Sequence, residues 1–120
     1  MNDFQEKLKG KMDDYTHLVY AITKNFPREE LFGVTSQFRR ATLSVVLNYI
    51  EGYARRKPLV RLNFLEIAFG SFKESRYLLH FAFVEKYISA KDYERGAVIA
   101  DEIGAMLWAE IRGLDQRIER

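Results

Sequence analysis

The sequence predicts an all-α protein, an antiparallel up-down-up-down four-helix bundle formed by a single domain over residues 1–120. Three observations carry this expectation. Apolar residues recur at steps of three and four through four long segments, the period of a helix and not of a strand. Strong breaks are few, at Pro27, at Pro58 and at Ile88-Ser89-Ala90-Lys91. Those breaks are short beside the segments they separate, which favours antiparallel neighbours. Composition agrees: 120 residues, 48% of them hydrophobic, suffice for one core, and two prolines with seven glycines are unlike a loop-rich β sandwich or a collagen-like repeat.

The first helix is carried by Phe4, Leu8, Met12, Tyr15, Val19, Ile22 and Phe26, with Asp3 placed to cap it. Pro27 stands just inside the next start, where a missing N–H costs nothing. Arg28 to Phe32 then make a first turn or short lead-in. The second helix runs from about Gly33 to Tyr53. The third opens after Pro58, continues to about Tyr87 and is interrupted at Gly70-Ser71. Ser89 with Asp92 three residues on resembles a capping box, using Asp where Glu or Gln is usual. The fourth helix carries Ile99, Ile103, Leu107, Ile111, Leu114 and Ile118, and the tail Asp115–Arg120 is expected to fray.

The middle helices hold more apolar surface than one small bundle needs. In the third, residues from Leu62 to Val84 spread apolar side chains over most of the circumference, and the second is similar from Ala41 to Ile50. A helix of a four-helix monomer should keep one wet face, so the excess predicts self-association. Small residues at Ala105, Ala109 and Gly113, and at Ala100 and Gly104, suit close helix contacts.

Polar residues have an order of their own. Gln37, Arg40, Ser44, Asn48, Glu51 and Arg55 form one line along the second helix. This line is read either as a solvated or register-fixing network or as a binding surface. Glu66, Lys73, Glu74 and Arg76 on the third helix are its candidate partners, and Glu51 with Glu74 is a candidate carboxylate pair. The net charge of +2 hides an asymmetry. The span from Arg28 to Leu62 carries an excess of four positive charges, and the span from Asp92 to the end an excess of three negative ones. Arg55, Arg56, Lys57 and Arg61 gather at the junction of the second and third helices. Such a patch is partly dipole complementarity and partly an electrostatic footprint for phosphates. Arg39, Arg40, Arg55, Arg56, Lys57 and Arg61 are the candidate nucleic-acid-binding residues, acting without base-specific readout.

Several classes are excluded or disfavoured. The chain has no cysteine, so disulfides, thiolate metal sites and cysteine nucleophiles are out. A di-iron bundle needs paired Glu-x-x-His motifs, and Asp14-Tyr15-Thr16-His17 alone comes close. His17 is expected at the surface and His80 partly buried. No phosphate-cradling glycine loop or nucleophile elbow is present. No enzyme, cofactor or metal is expected. The start of the chain lacks a basic-then-apolar leader, and the longest uncharged run, Ala41–Ile50, is about half of the roughly 20 residues a membrane span needs. A soluble cytoplasmic protein is the expectation.

The stretch Phe26-Pro27-Arg28-Glu29-Glu30-Leu31-Phe32-Gly33-Val34-Thr35-Ser36-Gln37-Phe38-Arg39-Arg40-Ala41 resembles the signature of the four-helix-bundle proteins encoded in 23S ribosomal-RNA intervening sequences. Asn48-Tyr49-Ile50-Glu51-Gly52-Tyr53-Ala54-Arg55-Arg56 and Ala68-Phe69-Gly70-Ser71-Phe72-Lys73-Glu74 are similar to two further elements of that family. The resemblance implies a small bacterial bundle that assembles into a ring-like homopentamer. Through the family's likeness to the Avd accessory protein of diversity-generating retroelements, it also implies non-specific contact with RNA or DNA and a protein partner such as a reverse transcriptase. The family often has proline where this chain has Ser44-Val45-Val46-Leu47, so a straighter second helix is expected. Ile50, Ala54 and Arg76 also depart from the family's usual residues. The function expected is that of a non-enzymatic oligomeric adaptor. The alternative is a structural protein–protein interaction module with no nucleic-acid role.

Overall fold

The computed structural model describes residues 1–119. Four α-helices follow in order, α1 (Asp3–Thr23), α2 (Val34–Tyr53), α3 (Pro58–Val84) and α4 (Ala90–Ile118), with one 3-10 turn at Arg28–Glu30 before α2. There is no strand among the described residues. Each backbone packs on two neighbours, in the cycle α1–α2–α3–α4, and no diagonal pair of backbones approaches. The registers run in opposite senses around the cycle. Gln5 meets Tyr53 while Arg39 meets Thr23, Gly52 faces Phe64 while Thr42 meets Ser75, Phe69 meets Trp108 while Phe83 stacks on Tyr93, and Lys11 pairs with Glu102 while Leu18 approaches Gly96. The expected up-down-up-down bundle follows from these pairs.

The helix ends explain where the sequence reading was displaced. The cap of α1 is Asn2, not Asp3. Asn2 Oδ1 accepts from the Gln5 backbone N–H at 2.8 Å, and Gln5 Oε1 accepts from the Asn2 N–H at 2.9 Å. This reciprocal box leaves Asp3 in the first turn, where its charge faces the positive helix end. Helix α3 stops at Val84, short of Tyr87, in a Schellman turn: Tyr87 N–H reaches Ala82 O at 2.8 Å and Lys86 N–H reaches Phe83 O at 3.0 Å. Lys86 holds φ 63° there, a position usually given to glycine. Ser89 accepts from Asp92 N–H at 3.1 Å, half of the expected box, because Asp92 turns its carboxylate to Arg95. Gly70-Ser71 does not interrupt α3, and α2 runs without a break. Helix α4 does not fray before Ile118, which packs on the core; Arg120 lies outside the described residues.

The core is the expected set of stripes, from Leu8 through Tyr15 and Val19 on α1 to Ile103, Leu107 and Ile111 on α4. Ala100 and Gly104 do face α3. A Cβ on Gly104 would lie 2.7 Å from Phe72, and one on Gly96 would lie 3.1 Å from Leu79, so glycine sets the close α3–α4 approach. Ala105 and Ala109, by contrast, face solvent, and so does His80.

The apolar excess survives folding, though not through the phenylalanines alone. Phe72 is buried, and Phe64, Phe69 and Phe81 are half-buried. The residues left outside are mainly aliphatic: Leu43, Leu47 and Ile50 on α2, and Leu59, Val60, Ile67 and Val84 on α3.

Candidate nucleic-acid interface

The α2–α3 junction is built by residues that do different jobs. Helix α2 ends at Tyr53, and Ala54 N–H still reaches back to Ile50 O at 3.1 Å. Lys57 is extended and Pro58 opens α3, where proline is pre-set for the first turn. Gly52 permits the tight return: a Cβ there would meet Phe64 Cβ at 3.2 Å and the Arg61 carbonyl at 3.4 Å. Arg61 folds back over the gap. Its Nε donates to Gly52 O at 3.3 Å, its Nη2 donates to Arg55 O at 3.0 Å, and its guanidinium lies 4.7 Å from the Tyr53 ring. A cation on the last carbonyls of α2 is favourable both as a cap and against the dipole.

The six candidate phosphate-binding residues therefore separate. Arg61 is a staple. Arg55 pairs with Glu51 on its own helix and lies 5.2 Å from the Phe64 ring. Arg56 and Lys57 are exposed and have no carboxylate partner among the described residues. Arg39 and Arg40 are sixteen residues or so up the helix, about 24 Å away at 1.5 Å per residue. Arg39 is half-buried, donating from Nε to Thr23 Oγ1 at 2.8 Å and covering Tyr20 at 4.9 Å. Arg40 is exposed, beside Gln37 and Glu74.

The polar line along α2 lies in the outer α2–α3 cleft. Gln37, Arg40, Ala41, Ser44, Ser71 and Glu74 line it, around a volume of about 410 Å³. The partner from α3 is Ser71, a residue sequence reasoning did not single out in that role: it meets Ser44 at 2.9 Å, and Asn48 donates to both Ser44 O and Ser44 Oγ at 2.9 Å. Arg76 instead turns to α4 and pairs with Asp101 at 3.1 Å. Glu51 and Glu74 do not form a carboxylate pair. The Ser44–Ser71 register puts residue 51 beside Phe64, ten residues from Glu74, or about 15 Å along α3. Two apolar stripes flank the polar line, Leu43, Leu47 and Ile50 on one side and Val60, Phe64 and Ile67 on the other.

A second polar cluster was not legible in the sequence. The Tyr49 hydroxyl donates to Glu110 Oε1 at 2.5 Å, and Gln5 donates to Tyr53. Glu110 Oε2 is sealed from solvent and unpartnered, although the residue as a whole is only half-buried. Burial holds the Glu110 carboxyl above the usual carboxylate range, against the opposing pull of Tyr49, Gln5 and Arg117. Among the described residues, no group of three or more His, Asp or Glu side chains is placed to hold a metal ion. Among the same residues, no helix is long and apolar enough to cross a membrane.

Residues 7–109 match the family model of the 23S rRNA-intervening sequence proteins. The chain belongs to that family. The match contains the basic junction, the outer cleft and the whole of α2 and α3. The fold is also that of a protein of unknown function from the S23 ribosomal protein family of Bacteroides thetaiotaomicron, solved as a crystal structure. The TM-score is 0.83 at 23% identity, covering 91% of this chain and 98% of that one. No curated protein matches the sequence. As a 23S rRNA-intervening sequence protein, this chain is a small bundle of a family without an assigned activity.

Proposed function

We propose that this protein is a non-enzymatic, self-associating adaptor that binds nucleic-acid phosphates without sequence readout, through the α2–α3 junction. The observation that carries the reading is the pair Arg56 and Lys57, exposed, without an acidic partner among the described residues and presented on a turn held by Arg61. Arg55 joins them when phosphate displaces Glu51 from its guanidinium. Two or three cations bind weakly alone, because phosphate contacts count additively and are screened by salt. Self-association multiplies them. The exposed aliphatic stripe Leu43, Leu47 and Ile50 supports it, and the family resemblance implies a homopentamer. One patch per subunit then gains affinity by avidity. A cytoplasmic setting and a protein partner such as a reverse transcriptase belong to the same reading.

The test is a salt titration of binding to structured RNA and to duplex DNA, with light scattering on the same sample. Binding should weaken linearly in log salt, and reversing Arg55, Arg56 and Lys57 to glutamate should abolish it while leaving the particle mass unchanged. Absence of binding at about 50 mM salt, or binding indifferent to the triple reversal, removes the proposal. The same aliphatic stripe favours a second reading, a protein-only docking module. Recovery of one protein partner with no nucleic acid in a pull-down would select it.

A further inference from the structure

On the opposite side of α3 from the outer cleft, a groove of about 520 Å³ runs between α3 and α4. Phe72 and Gly104 both line it, the Phe72 ring occupying the space that a Gly104 side chain would take. Phe69 and Trp108 pack against each other along it, with ring centroids 5.3 Å apart and planes 40° from each other. Trp108 is 49% exposed, and it is the only tryptophan in the chain. Lys73 stands over the Phe69 ring at 5.5 Å. Arg112, one turn beyond Trp108 on the same face of α4, is exposed. Neither Lys73 nor Arg112 has a carboxylate partner among the described residues, and the nearby Asp101 is already occupied by Arg76.

This surface differs in kind from the α2 stripe. Leu43, Leu47 and Ile50 are aliphatic, and no cation separates them. The α3–α4 groove offers aromatic side chains with positive charge on both rims, Lys73 from α3 and Arg112 from α4, a helix whose other charges are mainly acidic. Aromatic faces take up planar rings, and the flanking cations fit the anionic links between such rings. That is the combination by which single strands are held, with bases stacked on side-chain rings and backbone phosphates on Lys and Arg. A duplex keeps its bases stacked on each other and has none to offer. An apolar partner helix would find the groove interrupted by Lys73, Arg76 and Asp101 within little more than one turn.

The geometry points to the α3–α4 groove as a site for the unpaired bases of a nucleic-acid strand, stacked on Trp108 and Phe69, with Lys73 and Arg112 on the phosphates. This rests on the nucleic-acid reading above and deepens it: the α2–α3 junction gathers any phosphate backbone, and the groove selects strands with free bases.

Trp108 reports on its own site, so two signals separate the claims. A fluorescein-labelled oligothymidylate and a duplex of equal length are titrated at about 50 mM salt. Anisotropy reads total binding, and tryptophan emission reads the groove. The expected result is that both probes bind but only the single strand quenches Trp108. W108A should weaken the single strand about tenfold and leave the duplex unchanged. W108F, which keeps a stacking face, should bind nearly as wild type does. The double variant with Lys73→Glu and Arg112→Glu should lose the quenching. Because Trp108 is half-exposed, these variants should keep the helical circular dichroism of the wild type.

Binding of the single strand without quenching overturns this inference and leaves the proposed function standing. Loss of anisotropy change with both probes removes both. Quenching by duplex as strong as by single strand, or single-strand affinity unchanged in W108A, also overturns it. If acrylamide cannot quench Trp108 in the free protein, another copy of the chain fills the groove and the inference fails.

Discussion

Two tyrosines cross this bundle on opposite diagonals, and their tips meet different fates. Tyr15 reaches from α1 to Ser75 on α3 at 3.1 Å, and Ser75 meets Thr42 on α2 at 2.6 Å. Thr42 donates its one proton to Phe38 O at 2.7 Å, so it must accept from Ser75, which must in turn accept from Tyr15. The chain of protons has one direction, every hydroxyl donates once, and no charge is buried. Tyr49 reaches from α2 to Glu110 on α4 and ends on a carboxyl with one sealed, unpartnered oxygen. Burial pushes the Tyr15 phenol up to about 12 and raises that of Tyr49 further, with Glu110 adding to the second shift. A neutral, fully paired network fixes which helices are neighbours at little cost. An ionisable pair left half-satisfied carries a standing penalty that depends on pH.

The largest effect is expected from Tyr49→Phe. It removes the hydroxyl donor to a half-buried carboxyl, and hydrogen bonds to charged groups contribute about 1.5–3 kcal/mol. Urea unfolding at neutral pH should show a loss in that range, and a loss under about 0.5 kcal/mol would mean that the carboxyl finds water instead. Next comes Ser75→Ala. The hydroxyl of Tyr15 loses its acceptor in a sealed site, at a cost of about 1–2 kcal/mol, and this cost should not vary between pH 5 and pH 8, since no group in that network titrates there. Residues 42 and 49 on α2 are about 10 Å apart along the helix. The two substitutions combined should therefore add to within about 0.5 kcal/mol. A larger coupling would show that the diagonals are one network.

The contrast also marks what the sequence could show. Helix number, order and approximate ends were legible, because apolar spacing and the two prolines are local signals. The basic junction was legible for the same reason: Arg55, Arg56 and Lys57 are consecutive. The division of labour inside it was not, since Arg61 acts by folding back onto carbonyls six and nine residues earlier. Tyr15 was visible only as a member of an apolar stripe. Its partners Ser75 and Thr42, and the pair Tyr49 and Glu110, are brought together across diagonals, and one sequence carries no period that registers one helix against another. Gly104 was expected at a helix contact, but its partner Phe72, and with it the groove beside Trp108, needed the packed structure.

The smallest effect is the most diagnostic. Glu110→Gln keeps the shape and the bond from Tyr49 while removing the charge. In the folded protein the Glu110 carboxyl holds its proton to higher pH than in the unfolded chain, because burial disfavours the ion. Through the interval between the two pKa values the native state binds the extra proton. Stability therefore falls as pH rises across it, and the penalty is fully present above the folded value. The variant escapes this. Its melting temperature should exceed that of the wild type at pH 7, by no more than the equivalent of about 1 kcal/mol given the solvent near a half-buried group. The advantage should shrink to nothing as pH falls through the folded value toward that of an ordinary carboxyl. The same series on a background of Ser75→Ala should trace a parallel curve, because the central network contributes no proton to the difference. A melting-temperature gap that stays constant from pH 4 to pH 8 would place the sealed oxygen in contact with water and make the two diagonals equivalent.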